Sequence, residues 1–126
     1  NVLNGWDVTL AASNPANLWQ GSGSSFDFNS PDSSGCANGQ MTINPSTATI
    51  NYGQDATTDV VTGITRGIIA TFNQGTTDSI TLLSGNNSSD ENGDWRMQSI
   101  SVSQKIPSEK ATGIYNVPMV LTILAK

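Results

Sequence analysis

The sequence predicts an all-β fold, an antiparallel β-sandwich of the Ig-like or Greek-key type with about eight to ten short strands and no substantial helix. Three observations point there. Apolar residues alternate with others in short runs, most clearly at Tyr115, Val117, Met119, Leu121 and Ile123, and strict period-two patterning marks a strand with one buried face. Clusters of Gly, Pro and Asn punctuate those runs at the roughly 8–12-residue spacing of sandwiches and barrels. No apolar i, i+3, i+4, i+7 pattern persists long enough to make a helix.

Taken in order, Asn4-Gly5 is a turn signal, and Trp6, Val8, Leu10 and Ala12 then alternate with Asp7, Thr9 and Ala11 as a strand. Asn14-Pro15-Ala16-Asn17 ends it. Trp19 stands outside any periodic run, ahead of the flexible composition Gly21-Ser22-Gly23-Ser24-Ser25. Phe26 and Phe28 flank Asp27 in a short strand, and Asn29 to Gln40 reads as loop, with a hairpin-type turn at Asn38-Gly39. Met41 and Ile43 open a strand that Pro45 interrupts; Thr47, Thr49 and Ile50 resume it before the turn Asn51 to Asp55. Val60-Val61, Ile64, and then Ile68, Ala70 and Phe72 read as strands broken at Gly63 and Gly67. Asn73 to Asp78 turns, Ile80 to Leu83 is a short strand, and Ser84 to Gly93 is a polar loop.

Trp95 and Met97 occupy odd positions whereas Ile100 and Val102 are even, a parity shift that predicts a β-bulge near Gln98-Ser99. Ile100, Val102 and Ile106 form one strand and Tyr115 to Ile123 another. The polar turn Pro107 to Gly113 between them predicts that the two pair antiparallel and anchor a sheet. Pro118 removes one amide from any ladder, which places one side of the last strand at an edge or a bulge.

At 126 residues the chain makes one domain, residues 1–126, with no internal repeat. Hydrophobic content of 36% and charged content of 12% leave Ser, Thr, Asn, Gln and Gly to fill the surface, as in extracellular β proteins. A net charge of -5 with Lys+Arg totalling 5 and unclustered argues against a nucleic-acid partner. No stretch approaches the ~20 apolar residues of a membrane-spanning helix, so no membrane insertion is expected. The chain begins at Asn1 without Met, which reads as a mature or trimmed product lacking its export signal. The single Cys36 excludes an intrachain disulfide. It reads as a free small residue in a Ser/Gly-rich loop, the alternatives being an interchain bridge or an exposed thiol.

The residues for catalysis are missing. Without His, neither a Ser-His-Asp nor a Cys-His arrangement can form, and no Gly-rich stretch leads into a phosphate-binding helix. Two carboxylates across a cleft would be required. Asp27 and Asp94 come closest, but alternation turns an acid beside inward aromatics to water. We therefore expect a non-enzyme with no catalytic residues and no cofactor. Asp90, Asn92 and Asp94 are spaced like the start of a calcium loop, yet Gly93 falls one place after Asn92 and Ser101 stands where a closing Glu belongs; a solvated acidic turn is the simpler reading. Trp6 and Trp95 are in phase with apolar neighbours and expected in the core. Trp19 and Tyr52 are the candidates for an exposed, sugar-stacking face. Overlapping sequons make Asn86 and Asn87 candidate glycan acceptors.

Gly5-Trp6-Asp7-Val8-Thr9-Leu10, Ile106-Pro107, Gly113-Ile114-Tyr115 and the closing alternating strand resemble the WxL-type surface domains of bacteria, and more broadly bacterial or archaeal surface β-sandwiches and pilin-like subunits. Met41 to Pro45 and the segment Ile80 to Gly93 fall where similar segments lie. Val8 stands at the Leu of the first family motif, and Leu121-Thr122-Ile123 where the second Trp-x-Leu would be. The resemblance implies a secreted β-sandwich on a cell surface. WxL-type domains carry further strands ahead of the Gly-Trp segment. If nothing precedes Asn1, a sheet position is left open, with the segment Asn1–Ala12 or the C-terminal strand as donor or acceptor edge. The expected function is a structural, self-associating subunit of a fibre, filament or layer, with Tyr115, Val117, Met119, Leu121 and Ile123 as the association strand and copies of itself as partner. The alternative is a module binding cell-wall glycan, serving adhesion, through Trp19 and Tyr52.

Overall fold

Short strands joined by turns account for most of the chain. The computed structural model describes residues 4–16, 18–21, 24–31, 39–53, 61–89 and 94–126. The strands are β1 (Gly5–Ala12), β2 (Leu18–Gly21), β3 (Ser24–Asp27), β4 (Met41–Asn44), β5 (Thr49–Tyr52), β6 (Ile64–Arg66), β7 (Ala70–Thr71), β8 (Ser79–Asn86), β9 (Trp95–Gln98), β10 (Ser101–Gln104), β11 (Tyr115–Asn116) and β12 (Met119–Ala125). All pairings among the described residues are antiparallel. Twelve strands exceed the expected count because several long runs are split where the chain changes partner. The one helical element among the described residues is a 3-10 turn at Pro45–Thr47.

Among the described residues four sheets result, in the orders β12-β1-β8-β6, β10-β4-β7, β11-β2-β3 and β5-β9. Their connections reduce to two bent ribbons. In one, β1 continues into β2 while β12 is the continuation of β11. Both arms break near proline, at Pro15 and Pro118, so β1 pairs β12 in one sheet and β2 pairs β11 in another. In the second, β4 and β5 flank the Pro45 turn opposite β10 and β9, which flank Ser99. Asn44 shapes that corner: its Oδ1 accepts from the Ser46 backbone N at 3.2 Å and from Ser46 Oγ at 2.6 Å. Corners of this kind carry strands between the layers of an all-β fold.

The parity shift at Gln98-Ser99 is therefore a strand break and not a bulge. Ser99 adopts φ 64°, the left-handed conformation that reverses the face presented, and β10 then joins a different sheet from β9. The bulge among the described ladders lies elsewhere. The register of β1 on β8 shifts between Val8 and Thr9, inserting Leu82 so that Leu82 and Leu83 are both buried.

The core joins the β12-β1-β8-β6 sheet to β10-β4-β7, a layering consistent with a sandwich. Ala12, Ile80 and Leu82 meet Met41, Ile43 and Phe72, with Phe28 closing one end. Phe28 and Phe72 are fully buried and meet edge to face, their ring centroids 5.4 Å apart at 70°, a favoured aromatic geometry. Ile68 and Ile69 are exposed, so the expected strand through Ile68 contributes only Ala70 and Phe72 to the interior.

Two further expectations are corrected. The strand through Val102 does not pair with the last strand: β10 pairs β4, and β12 pairs β1. The polar segment 107–113 thus links different sheets. The last strand also lacks a continuous buried face. Tyr115, Val117 and Met119 are half-buried, whereas Leu121 and Ile123 are exposed, because β12 is the outermost strand of its sheet.

A bare apolar edge and its flanking clefts

The strand β12 reads Met-Val-Leu-Thr-Ile-Leu-Ala, apolar on both faces. Its exposures are 44% at Val120, 60% at Leu121, 73% at Ile123 and 62% at Leu124. Backbone hydrogen bonds fix its orientation. The Pro118 carbonyl accepts from Ser13 N at 3.0 Å, and Lys126 N donates to the Gly5 carbonyl at 2.8 Å, so the even-numbered residues turn their polar groups toward β1. By alternation, the N–H and C=O groups of Met119, Leu121, Ile123 and Ala125 point to the other side, where no described strand lies. Proteins ordinarily blunt such an edge with charge, proline or a bulge. Here Pro118 and Lys126 stand at its two ends, with nothing of the kind between them.

Lys126 Nζ sits 2.7 Å from Asp7 Oδ1, and Ser84 Oγ donates to the same carboxylate oxygen. The Lys126 and Ser84 hydrogen bonds hold the Asp7 carboxyl below its ordinary range. This pins the C-terminal end of the edge across two strands. It also places β1 in the interior of the sheet, between β12 and β8, so the described part of the Asn1–Ala12 segment is not an open edge.

Beside β12 lies an apolar cleft of about 290 Å³ lined by Trp6, Val8, Leu83, Trp95 and Ile123. Trp6 and Trp95 stack at 5.8 Å and 28°. Both are half-buried rather than core residues. Cross-strand pairing sets Val8 opposite Ile123 and opposite Leu83, so the cleft is the inner face of the sheet, left uncovered where β12 overhangs.

A second cleft, of about 500 Å³, is lined chiefly by Trp19, Phe26, Ile106, Lys110 and Tyr115. Trp19 is half-buried, stacks on Phe26 at 6.1 Å, and donates from Nε1 to Gln104 Oε1 at 3.0 Å. Phe26 meets Tyr115 at 5.4 Å. The Tyr115 hydroxyl donates to the Ala111 carbonyl at 2.8 Å and lies 2.6 Å from Ser24 Oγ. Trp19 is thus not the open platform expected of it, since one ring face and its N–H are already engaged. Tyr52 is exposed but belongs to another sheet, opposite Trp95, and the two candidate sugar-stacking residues are not brought together by pairing.

The remaining candidates separate. Asp90, Asn92 and Cys36 lie outside the described residues, and Asp94 is exposed at the start of β9, its carbonyl accepting from Gly53 N at 2.8 Å. Asp27 accepts from Asn29 N and Ser30 Oγ, which makes it a turn-forming acid. Asn86 ends β8 and Asn87 follows it, both exposed. Asn86 Oδ1 accepts from Ser88 N at 2.8 Å. Pro118 located the edge, but the exposure of Leu121 and Ile123 was missed because alternation gives which residues share a face, not whether anything covers it. The apolar residues on the second face, Val120 and Leu124, were the available signal.

No protein-family model, curated protein or solved structure matches the chain.

Proposed function

We propose that the protein is a non-catalytic, extracellular structural subunit of a surface fibre or layer, and that it joins a copy of itself by β-strand addition at β12. One observation carries the reading: an outermost strand of seven residues, apolar on both faces, uncharged from Met119 to Ala125, with a row of outward-facing backbone groups. Such an edge is a template for another strand. The neutral polar composition and the WxL-like or pilin-like segments agree with a cell-surface setting.

The test is the oligomeric state of the purified chain by light scattering and electron microscopy, compared with the double variant Leu121→Lys and Ile123→Lys. Both residues are exposed, so the variant is expected to fold and to lose association. A monomeric parent chain, or a variant that assembles as well as the parent, overturns the proposal.

A second reading, a module for cell-wall glycan, is favoured by the aromatic cleft around Trp19. It predicts co-sedimentation with insoluble peptidoglycan that Trp19→Ala reduces at least tenfold, and it fails if the monomeric chain stays in solution.

A further inference from the structure

We infer that two copies join through β12 about a two-fold axis at Thr122, making one continuous antiparallel sheet. The inference rests on β12 being the self-association edge and adds the partner strand, its direction and its register.

The strand is self-complementary. About Thr122, its sequence reads in either direction as three apolar residues, Thr, three apolar residues. In antiparallel pairing this register sets Met119 against the partner's Ala125 and Leu121 against the partner's Ile123. These are the positions whose N–H and C=O groups face outward, so each pair exchanges two hydrogen bonds. Val120 meets the partner's Leu124 and Thr122 meets the partner's Thr122 at the closer, non-hydrogen-bonded positions. Cross-strand Thr–Thr and aliphatic pairs of this kind are favourable.

A one-residue slip would oppose inward-facing to outward-facing backbone groups and lose the ladder. A two-residue slip shortens the overlap and leaves apolar residues bare. Parallel pairing would set identical side chains near one another but forgo the more stable antiparallel ladder. Charge does not oppose the two-fold arrangement: Lys126 falls beside the partner's Pro118 and is already paired with Asp7. Such contacts are isologous and closed, so the unit of any larger assembly is this dimer, and a fibre or layer needs a second contact.

Disulfide trapping tests the register. In a Cys36→Ser background, Thr122→Cys, Val120→Cys and Leu124→Cys are prepared singly, and the last two are also mixed. Opposed non-hydrogen-bonded positions lie within disulfide reach. Mild oxidation is expected to give a covalent dimer for Thr122→Cys, at least tenfold less for either other single variant, and a mixed dimer from the combination. If the unmodified chain associates by light scattering but Thr122→Cys shows no preference, the two-fold register is wrong while strand addition stands. A chain that is monomeric and gives no covalent dimer overturns both.

Discussion

The indole of Trp6 occupies the space that a side chain on Gly85 would need. The two residues are cross-strand partners, and a Cβ built on Gly85 would fall well inside van der Waals contact of the Trp6 ring. Glycine is what lets the indole lie flat on the sheet and stack on Trp95.

Gly85→Ala is accordingly expected to destabilise the fold. Reduced chain entropy in the unfolded state favours Ala by up to about 1 kcal/mol. Overpacking against a stacked aromatic pair costs about 1–3 kcal/mol and wins. Urea unfolding measures the loss, and near-ultraviolet circular dichroism reports the displaced Trp6–Trp95 pair. An Ala variant as stable as the parent would mean that the indole moves at no cost.

Ser99→Gly is expected to do the opposite. At φ 64° a residue with a Cβ is strained, and Gly relieves that strain for a net gain of about 0.5–1 kcal/mol. Ser99→Val should destabilise, because a β-branched residue fits the left-handed region worst. Thermal unfolding of both variants checks the sign.

Phe72→Ala should remove a large share of the total stability. Phe72 is fully buried against Phe28, and such truncations cost about 3–5 kcal/mol out of the 5–15 kcal/mol typical of a domain. Truncating Ile68, exposed and next to Gly67, whose N donates to the Leu82 carbonyl at 2.8 Å, is expected to change stability by about 0.5 kcal/mol or less. Equilibrium unfolding of the pair separates core from surface on one segment.

Asp7 should confer a small pH dependence. The Lys126 and Ser84 hydrogen bonds hold its carboxyl below the ordinary aspartate range, so the ionised form is favoured by folding. The resulting stability is fully present above the unfolded pKa and is lost as pH falls through the lower folded pKa. Side-chain exposure of 24% at Asp7 and 42% at Lys126 holds it to about 1 kcal/mol or less. The stability difference between parent and Asp7→Asn is expected near neutral pH and to shrink as pH falls below the ordinary aspartate range; a difference that grows in acid would contradict the pairing.

Alternation in Trp6–Ala12, Met41–Ile43 and Tyr115–Ile123 was enough to read strands and to reach an all-β fold. It could not give partners. Val102 and Val120 look alike in sequence, yet one strand pairs with β4 and the other with β1, because pairing depends on contacts distant along the chain. The parity shift at Ser99 located a real discontinuity but could not distinguish a bulge from a change of sheet; the turn opposite it, at Pro45, decides that. Of the candidate sites, the edge position of the last strand was legible, through Pro118. The Trp19 cleft was not, since it draws on Phe26, Ile106 and Tyr115 from separate segments.

Asn4 N donates to the Lys126 carbonyl at 3.1 Å, and β1 and β12 run antiparallel from that point. A force pulling residue 4 away from residue 126 would therefore load the ladder one rung at a time and peel it open like a zipper. The same bonds resist together only when the load runs along the strands in shear. A polymer strung through these two points would be soft, whereas one that transmits tension from sheet to sheet would engage the core formed by Ile43, Phe72 and Ile80. Attachment geometry, more than thermodynamic stability, would set how much tension the domain bears.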